Sequence, residues 1–439
     1  MLLFFWWLIG AYKKSFGGEI EKGIMQHVRI SSYQSPVHKL GDSQMTLSPK
    51  FRLTATPATS SSGLFSSSLP LEIEMEPSLG LQPFIPGLPD DLALNCLLRL
   101  PVSTHQKFRV VCRRWHDLLR TKDRFFTERK LVGICSAWMF VFAFNRFTRK
   151  IQWHVLDLTH FSWHTIPIMP GCKHAGPNGF GCIAIPQDGI LIVCGSMMSD
   201  LGCPLHVVLK YEMQKNRWTV MRQMLVPRSF FASGVIDGKV YVAGGYSTDQ
   251  FELNSAEVLN PADGKWQQIT SMGMNMAMYD SAALDERLFV TEGWAWPFLF
   301  SPRGQVYDPK TNAWESMTVG MREGWTGLSV VLDGHLFVIS EHEDMRVKVY
   351  DMKTDSWDIV EGSPLPKRMI SKPLSVSSYG SRLFVVGQGL HVAVGHIEKK
   401  SCCVLDDRKN WSFSIQWQQI ETPSEFSDLT PSSSQILFA

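Results

Sequence analysis

The sequence has few features that would support a metal site or a disulfide scaffold. Its 439 residues contain nine cysteines, an odd number, and no two of them form a Cys-x2-Cys pair. The cysteines and histidines between residues 172 and 206 match no common zinc spacing, and neither do the adjacent Cys402 and Cys403. Scattered cysteines in a chain of this length indicate free thiols in a reducing compartment. We therefore expect no bound metal, and a cytoplasmic and/or nuclear location.

Strong net charge and long apolar runs are also missing. The formal net charge is only +2, which argues against a protein dedicated to nucleic acid or to a membrane surface. The apolar N-terminal run MLLFFWWLIGAY is shorter than the ~20 residues that cross a bilayer. Lys13 and Lys14 follow this run, whereas a signal peptide carries its positive charges first. We favour a tail without structural role, or a true start at Met25 or Met45, over a targeting segment.

A leader without its own fold is predicted up to residue 83. The segment from Ser31 to about Gln82 is rich in Ser, Thr and Pro and includes the run SSSGLFSSSLP. Such a composition buries too little apolar surface to offset the entropy lost on ordering. We therefore expect this leader to be disordered.

The first helical pattern begins just after Leu88. Pro89 suits the first turn of a helix because its missing N–H costs nothing there, and the two aspartates that follow it favour the positive end of the helix dipole. Apolar residues recur at helical spacing up to about Leu100, and Pro101 ends the run. This pattern predicts one short amphipathic helix.

A second helical stripe runs from Phe108 to Leu119, with Trp115 near its centre. Residues 105 to 130 carry nine Lys or Arg against three acids, at 117, 123 and 128. A unit of roughly 45 residues cannot bury two apolar stripes alone, so part of this surface meets the rest of the chain or another protein. The basic surplus favours an acidic partner, although a DNA-binding helix or a solvated charged face has the same composition.

These helices resemble an F-box, in residues 84 to 130. The resemblance rests above all on the run Val-Cys-Arg-Arg-Trp at 111 to 115. It implies a small all-α domain whose apolar face binds the Skp adaptor, and through it a cullin, in a Skp-cullin-F-box ubiquitin ligase. The residues that carry the resemblance, and that we expect to contact the adaptor, are Leu88, Pro89, Asp91, Leu92, Leu97, Leu98, Leu100, Val111, Cys112 and Trp115.

After residue 130 the pattern changes to short β-rich runs that repeat. Apolar alternating runs are separated by turns such as Asp237-Gly238 and Asp333-Gly334, which are strong hairpin signals. Each repeat carries a late tryptophan, at 163, 218, 266, 314 and 357, so the spacings are 55, 48, 48 and 43 residues. Periods of this length with several strands predict the blades of a β-propeller.

The repeats resemble kelch repeats. The stretch 307–314 reads Tyr-Asp-Pro-Lys-Thr-Asn-Ala-Trp, and Gly244-Gly245 matches the glycine pair that closes the second strand. The glycine pair is incomplete in the other repeats, where only Gly195, Gly293 and Gly387 stand. We expect the glycines to allow close backbone approach near the central channel, and each late Trp to pack between neighbouring sheets.

Together the two parts resemble the F-box/kelch-repeat family, most closely its plant members. We predict an F-box followed by an all-β propeller of six blades over residues 131–425. The ring is closed either by a strand in the C-terminal tail, 426–439, or by the stretch just after the F-box. The resemblance implies a non-catalytic substrate receptor, without cofactor, nucleic acid or membrane. A kelch scaffold is the alternative, and a propeller enzyme is disfavoured because no Gly-x-Ser-x-Gly elbow or copper-ligand set stands in the sequence.

Substrate contacts are expected in the loops at one end of the propeller, because the blades supply a rigid frame for them. Arginines there are suited to an acidic group, and tryptophans to an apolar anchor. The loop Glu292–Arg303 is the most unusual, with two tryptophans where a polar loop is expected. Packing between blades is the competing interpretation for Trp294 and Trp296. The candidates are Arg228, Trp294, Trp296, Arg322, Trp325 and Arg368.

Overall fold

The helices lie at the N-terminal end of the described chain. A computed structural model of the protein describes residues 83–148, 150–170, 179–197, 204–277, 280–292, 302–341, 343–368, 370–401 and 411–438. The predicted leader up to residue 82 lies outside these ranges. The first helices are α1 (Asp90–Leu98), a 3-10 turn (Val102–Thr104), α2 (His105–Phe108), α3 (Arg113–Arg120) and α4 (Lys122–Leu131). Pro89 caps α1, and its two aspartates stand in the first turn, as the dipole argument predicts.

The second apolar stripe does not form one continuous helix. The chain leaves helical geometry between α2 and α3, where Cys112 is extended with φ −157°. This break lets Phe108 and Trp115 pack against each other, with ring centroids 5.8 Å apart. The apolar residues of this stripe therefore still share one face, but α2 and α3 both contribute to it.

Twenty-five strands and one further helix, α5 (Val319–Gly324), follow in the described chain. The strands form six antiparallel blades. Blade 1 contains β1 (Ala137–Asn145), β2 (Ile151–Asp157), β3 (Ser162–Thr165) and β25 (Leu429–Phe438). Blade 2 contains β4 (Gly181–Ile185), β5 (Ile190–Met197), β6 (Pro204–Glu212) and β7 (Arg217–Val220). Blade 3 contains β8 (Ala232–Ile236), β9 (Lys239–Ala243), β10 (Ala256–Asn260) and β11 (Lys265–Ile269). Blade 4 contains β12 (Asp280–Leu284), β13 (Arg287–Thr291), β14 (Gly304–Asp308) and β15 (Ala313–Ser316), and blade 5 contains β16 (Gly327–Leu332), β17 (His335–Ser340), β18 (Val347–Asp351) and β19 (Ser356–Ile359). Blade 6 contains β21 (Ser375–Tyr379), β22 (Arg382–Val386), β23 (Val392–Ser401) and β24 (Trp411–Ile420). The short β20 (Glu361–Gly362) pairs with β24 in parallel.

The C-terminal strand closes the ring. β25 pairs with β1 along its whole length, from Ala137 opposite Phe438 to Asn145 opposite Leu429. It therefore occupies the innermost position of blade 1, and the inner strands β25, β4, β8, β12, β16 and β21 touch one another in turn around the centre. The C-terminal tail, one of the two predicted candidates for ring closure, thus supplies the inner strand of the first blade.

The late tryptophan of each blade joins it to the blade before. The indole Nε1 of Trp266 donates to the carbonyl of Arg222 at 3.1 Å, and that of Trp314 donates to Thr270 at 2.7 Å. Trp218, Trp357 and Trp417 make the same bond, to Pro167, Gly320 and Ser363. This confirms the predicted role of these residues, because each ring fills the space between two sheets while its N–H satisfies a carbonyl. Trp163 differs, since its Nε1 has no partner among the described residues and its ring instead meets Phe426.

The kelch glycines have the predicted steric role at the two positions where contact is tightest. A Cβ on Gly195 would lie 2.5 Å from the Phe231 ring, and one on Gly245 would lie 2.6 Å from the carbonyl oxygen of Ser229. Both glycines also have positive φ, 63° and 94°. Only glycine fits this combination of close approach and left-handed backbone.

Candidate functional site

A clamp of four residues fixes the start of the F-box. The carboxylate of Asp90 accepts the backbone N–H of Phe84 at 2.9 Å and pairs with the guanidinium of Arg114 at 2.8 Å. These bonds lower the pKa of Asp90, the backbone N–H contributing most and Arg114 next. The Arg114 guanidinium also lies 3.7 Å over the Phe84 ring, and Trp115 Nε1 donates to the Phe84 carbonyl at 2.6 Å. The Leu88-Pro89 segment is therefore held beside the start of α3.

This clamp was only partly predictable. Trp115 was expected to contact the adaptor, but it is half-buried and its Nε1 donates to the carbonyl of Phe84. Phe84 carried no motif signal of its own, and Arg114 was part of the Val-Cys-Arg-Arg-Trp run without an assigned contact. Their roles follow from a contact across 30 residues of sequence.

The predicted adaptor-binding residues divide into an exposed and a buried set. Leu92 is 51% exposed and Val111 is 57% exposed, and the neighbouring Val110 is 84% exposed. Pro89 and Asp91 are also exposed, while Leu88, Leu100, Cys112 and Trp115 are half-buried. Because the ion pair between Asp90 and Arg114 brings the starts of α1 and α3 together, the exposed residues flank it on both sides.

Leu97 and Leu98 are corrections to the predicted set. They are 2% and 0% exposed and belong to a cluster that also contains Leu118, Phe126 and, from blade 1, Trp138. The Phe126 and Trp138 rings meet edge to face at 5.4 Å. The helices thus share an apolar core with the propeller, so residue 130 is a boundary in secondary structure but not in packing.

The loops expected to recognise a partner lie at one end of the propeller. In blades 2 to 5 the strands run in sequence order from the centre outwards. The loop between the second and third strands and the connection to the next blade therefore emerge at the same end, which we call the recognition end. Backbone bridges join these loops, from Ser229 to Tyr246, from Tyr246 to Glu252 and from Leu253 to Met276.

Arg228 is not available at this end. Its side chain is fully buried and pairs with Glu257 at 2.6 Å. It also donates to the carbonyls of Gly244, at 2.7 Å, and Ser255, at 3.0 Å. Glu257 is itself buried and accepts two backbone N–H groups of the connection between blades 2 and 3. Arg228 therefore stabilises the connection between blades 2 and 3 and is not exposed to bind a substrate.

Trp325 is buried as well, and its ring belongs to the core between blades 4 and 5. Its Nε1 donates to the carboxylate of Asp280 at 2.9 Å, and that carboxylate also accepts the N–H of Ser329. Desolvation raises the pKa of Asp280 even though these bonds act in the opposite direction. Trp325 therefore packs between two blades and is not exposed as the predicted substrate contact.

The other candidates differ in what the structure says of them. Arg368 is exposed, and Arg322 is half-buried on α5. Trp294 and Trp296 lie outside the described residues. Sequence reasoning missed Phe251, which is 73% exposed in the loop between β9 and β10; a lone Phe in a polar loop gives no signal of its own.

Arg303 holds together the two ends of the loop Glu292–Arg303. Arg303 forms ion pairs with Glu292 and with Glu252, the latter at 3.2 Å, and donates to the carbonyl of Asn275 at 2.9 Å. Bonding to Glu292 raises the pKa of Arg303 most strongly. Arg303 thus ties together three loops of blades 3 and 4 at the recognition end.

Within the described ranges, no group of three or more His, Cys, Asp or Glu side chains is placed to hold a metal ion. In the same part of the chain, no helix is long and apolar enough to cross a membrane. Five cysteines there are free thiols. Two of them lie in blade 2, Cys194 buried and Cys182 half-buried, and desolvation raises the pKa of both thiols, that of Cys182 to about 12. These two thiols are therefore inert at neutral pH.

Comparison with known proteins matches both parts of the chain. A family model described as F-box domain matches residues 85–127, and one described as FKB95, Kelch-repeats domain, matches residues 189–415. An F-box/kelch-repeat protein of Arabidopsis thaliana is 53% identical over 415 residues, covering 94% of this chain and 100% of the relative. The F-box protein AFR of the same plant is 37% identical, covering 84% of this chain and 96% of the relative.

A helical F-box joined to a six-bladed kelch propeller defines a substrate-adaptor type of protein. The chain belongs to the F-box/kelch-repeat family, and the two relatives described above are plant proteins. The family names indicate an adaptor without catalytic activity.

Proposed function

We propose that this protein is the substrate-recognition subunit of a Skp-cullin-F-box ubiquitin ligase. Its F-box binds the Skp adaptor and through it a cullin, while its propeller binds a protein substrate for ubiquitination. The protein adds no catalytic residue of its own. The observation that carries the proposal is the exposed apolar set Leu92, Val110 and Val111, which stays uncovered although the other side of the F-box is buried against the propeller.

Charge around this surface supports an acidic partner. Within residues 105–130 five basic side chains are exposed against two acids, Asp117 and Asp123, whereas Asp90 and Asp91 are exposed beside Leu92. Acidic adaptors of the Skp type complement such a surface, and complementary charge mainly speeds association. The exposed basic residues are Lys107, Arg113, Arg120, Arg124 and Lys130.

The two binding regions lie at different ends of the propeller. α4 leads into β1 at Ala137, and β1 then runs to its loop with β2 at the recognition end. The F-box is therefore attached at the opposite end. This arrangement lets adaptor and substrate bind together without competing for one surface.

The adaptor interface is tested with Leu92→Asp and Val111→Asp in the full-length chain. Both positions are exposed, so we expect melting within about 0.5 kcal/mol of the wild type, together with loss of Skp adaptor and cullin from a pull-down. Val319→Asp on α5 is the matched control, because Val319 is also an exposed apolar residue, 55% exposed, but belongs to the propeller. Normal adaptor recovery with both F-box variants would refute the assignment.

The substrate interface is tested at the recognition end. Phe251→Ala and Arg368→Glu change exposed side chains there, and Met352→Ala is an exposed control in the turn at the opposite end. With the proteasome blocked, we expect the first two variants to lose co-purified substrates while keeping the adaptor. We retain Trp294 and Trp296 as substrate contacts, and expect the same pattern from Trp294→Ala and Trp296→Ala, with unchanged melting. Full substrate recovery by all four variants would place recognition elsewhere and favour a scaffold role.

A cytoplasmic and/or nuclear location is part of this proposal, since the partners of a ligase of this kind are reached there. Imaging of a fluorescent fusion tests it, and accumulation in the secretory pathway would contradict it.

A further inference from the structure

Arg129 lies at the junction between the F-box and the propeller. It stands in the last turn of α4 and is 4% exposed. Its Nη1 donates to the carbonyl of Leu98, at the end of α1, at 2.5 Å, and its Nη2 donates to the hydroxyl of Ser136. The guanidinium also lies 5.3 Å from the Phe125 ring. One side chain thus connects α1, α4 and the residue that precedes β1.

A buried guanidinium at this place needs compensation. Desolvation lowers the pKa of Arg129, whereas the charge of Asp157 raises it. Asp157 is a buried residue of blade 1, and its carboxylate is held by the ring of His160 at 2.8 Å and by the N–H of Thr159 at 2.8 Å. A carboxylate held in the propeller therefore favours the charged form of this F-box arginine. Because the attraction between two charges falls with distance, it depends on how the two parts are placed.

The surrounding packing restricts motion in the same way. Only residues 132–136 separate α4 from β1. Phe126 packs on Trp138 of β1, and Leu98 and Leu118 belong to the same cluster. A five-residue connection whose two ends are both packed cannot act as a free hinge.

We infer that Arg129 is a positioning residue, which fixes the F-box at one orientation to blade 1. The geometric consequence is a fixed separation between the apolar adaptor surface around Leu92 and the loops of the recognition end. The use made of that separation rests on the proposed function: a bound substrate is held at a constant place relative to the ligase core. A substrate held in place presents its lysines at a higher effective concentration than one on a loose tether.

A merely structural arginine would stabilise the fold without setting this geometry, so the test measures geometry. Ketone-bearing amino acids replace the exposed Arg120 on α3 and Lys353 in blade 5 of the full-length chain. Spin labels attached to them report the distance distribution between the F-box and the propeller. We expect one narrow distribution in the wild type and a shifted or broadened distribution in Arg129→Met. Arg129→Lys, which keeps the charge but not both hydrogen bonds, should restore part of the narrow population.

Two further variants keep the inference falsifiable. Ser136→Ala removes the acceptor of Nη2 without adding bulk, and gives the same measurement if Arg129→Met fails to fold. Arg228→Met removes a fully buried arginine in the connection between blades 2 and 3. We expect it to lower the melting temperature while leaving the distance distribution narrow. A narrow, unshifted distribution in folded Arg129→Met, or in Ser136→Ala where Arg129→Met does not fold, would overturn the inference.

The result is separable from the ligase proposal, because the distance measurement uses neither adaptor nor substrate. If the proposed function fails, Leu92→Asp retains adaptor binding while the Arg129 distances still respond. If this inference fails, adaptor binding responds to Leu92→Asp while the distances do not change.

Discussion

The buried pair between Arg228 and Glu257 offers the sharpest stability prediction. Glu257→Gln keeps the size and shape of the side chain but removes the only charge that pairs with Arg228 in the described structure. Both side chains are about 0–1% exposed, so water cannot replace the lost partner. Leaving one partner of a buried pair uncompensated costs about 3–5 kcal/mol. For a propeller of about 300 residues, with an unfolding entropy of about 2.1 cal/mol/K per residue, that corresponds to a fall in melting temperature of about 5–8 °C.

The two single variants should not be equal. After Arg228→Met, Glu257 still accepts the N–H groups of Leu225, at 2.7 Å, and Val226, at 3.0 Å, and a buried carboxylate left alone can also bind a proton. A guanidinium keeps its charge under all conditions that a protein survives. We therefore expect Glu257→Gln to destabilise the protein more than Arg228→Met does.

Thermal unfolding of the wild type, both single variants and Arg228→Met/Glu257→Leu forms the assay. The double variant should be more stable than the sum of the two single losses predicts, because it leaves no charge buried. An unchanged melting temperature for Glu257→Gln, or a larger loss for Arg228→Met, would refute the reasoning.

Two further predictions concern titratable groups. Burial lowers the pKa of His154 from 6.5 to about 4, and its ring packs on Phe426. As the pH falls, the unfolded state is protonated at this histidine before the folded state. The free energy of unfolding should therefore fall by up to about 3 kcal/mol as the pH drops from 6.5 to 4. His154→Leu should reduce this pH dependence, and an unchanged pH dependence in chemical denaturation would contradict the assignment. Asp355 accepts the hydroxyls of Thr318, at 2.6 Å, and Tyr350, at 2.5 Å, together with two backbone N–H groups of α5. These bonds outweigh partial desolvation and lower its pKa below 3.8, so its contribution should be lost in acid as the pH falls through that lowered value. Asp355→Asn should cost about 1–3 kcal/mol at neutral pH, and melting equal to the wild type would contradict the role.

The propeller was predictable because its signals are local and repeated. Asp237 and Asp333 adopt φ values of 48° and 47° before a glycine, as an Asp-Gly hairpin turn requires. The tryptophan spacing reports the blade period, since each Trp stands in an outer strand. The closing strand β25 was harder to predict from the sequence. Its residues 429–434 read Leu-Thr-Pro-Ser-Ser-Ser and show no alternation of apolar and polar residues. Their strand geometry comes from pairing with β1, not from their own composition.

The site residues were harder than the fold because their burial depends on distant partners. Arg228 looks solvated in a loop sequence, but its partner Glu257 lies 29 residues later. From its loop position in the sequence Trp325 was expected to be a surface contact. In the structure its Nε1 donates to the carboxylate of Asp280, 45 residues earlier, between two blades. A rule based on loop position assigns both to the surface. Only the closed ring shows that they face inward.

The F-box illustrates the same limit, with a functional consequence. Helical periodicity identifies the apolar positions of α1 but does not say which of them face another protein. The structure separates them by side: Leu97 and Leu98 face the core shared with Trp138, whereas Leu92 faces solvent. Deleting the whole F-box would therefore expose Trp138 and its neighbours and destabilise blade 1, so loss of partners from such a truncation would not identify the adaptor surface. Point substitutions at Leu92 and Val111 avoid this problem because they leave the shared core intact.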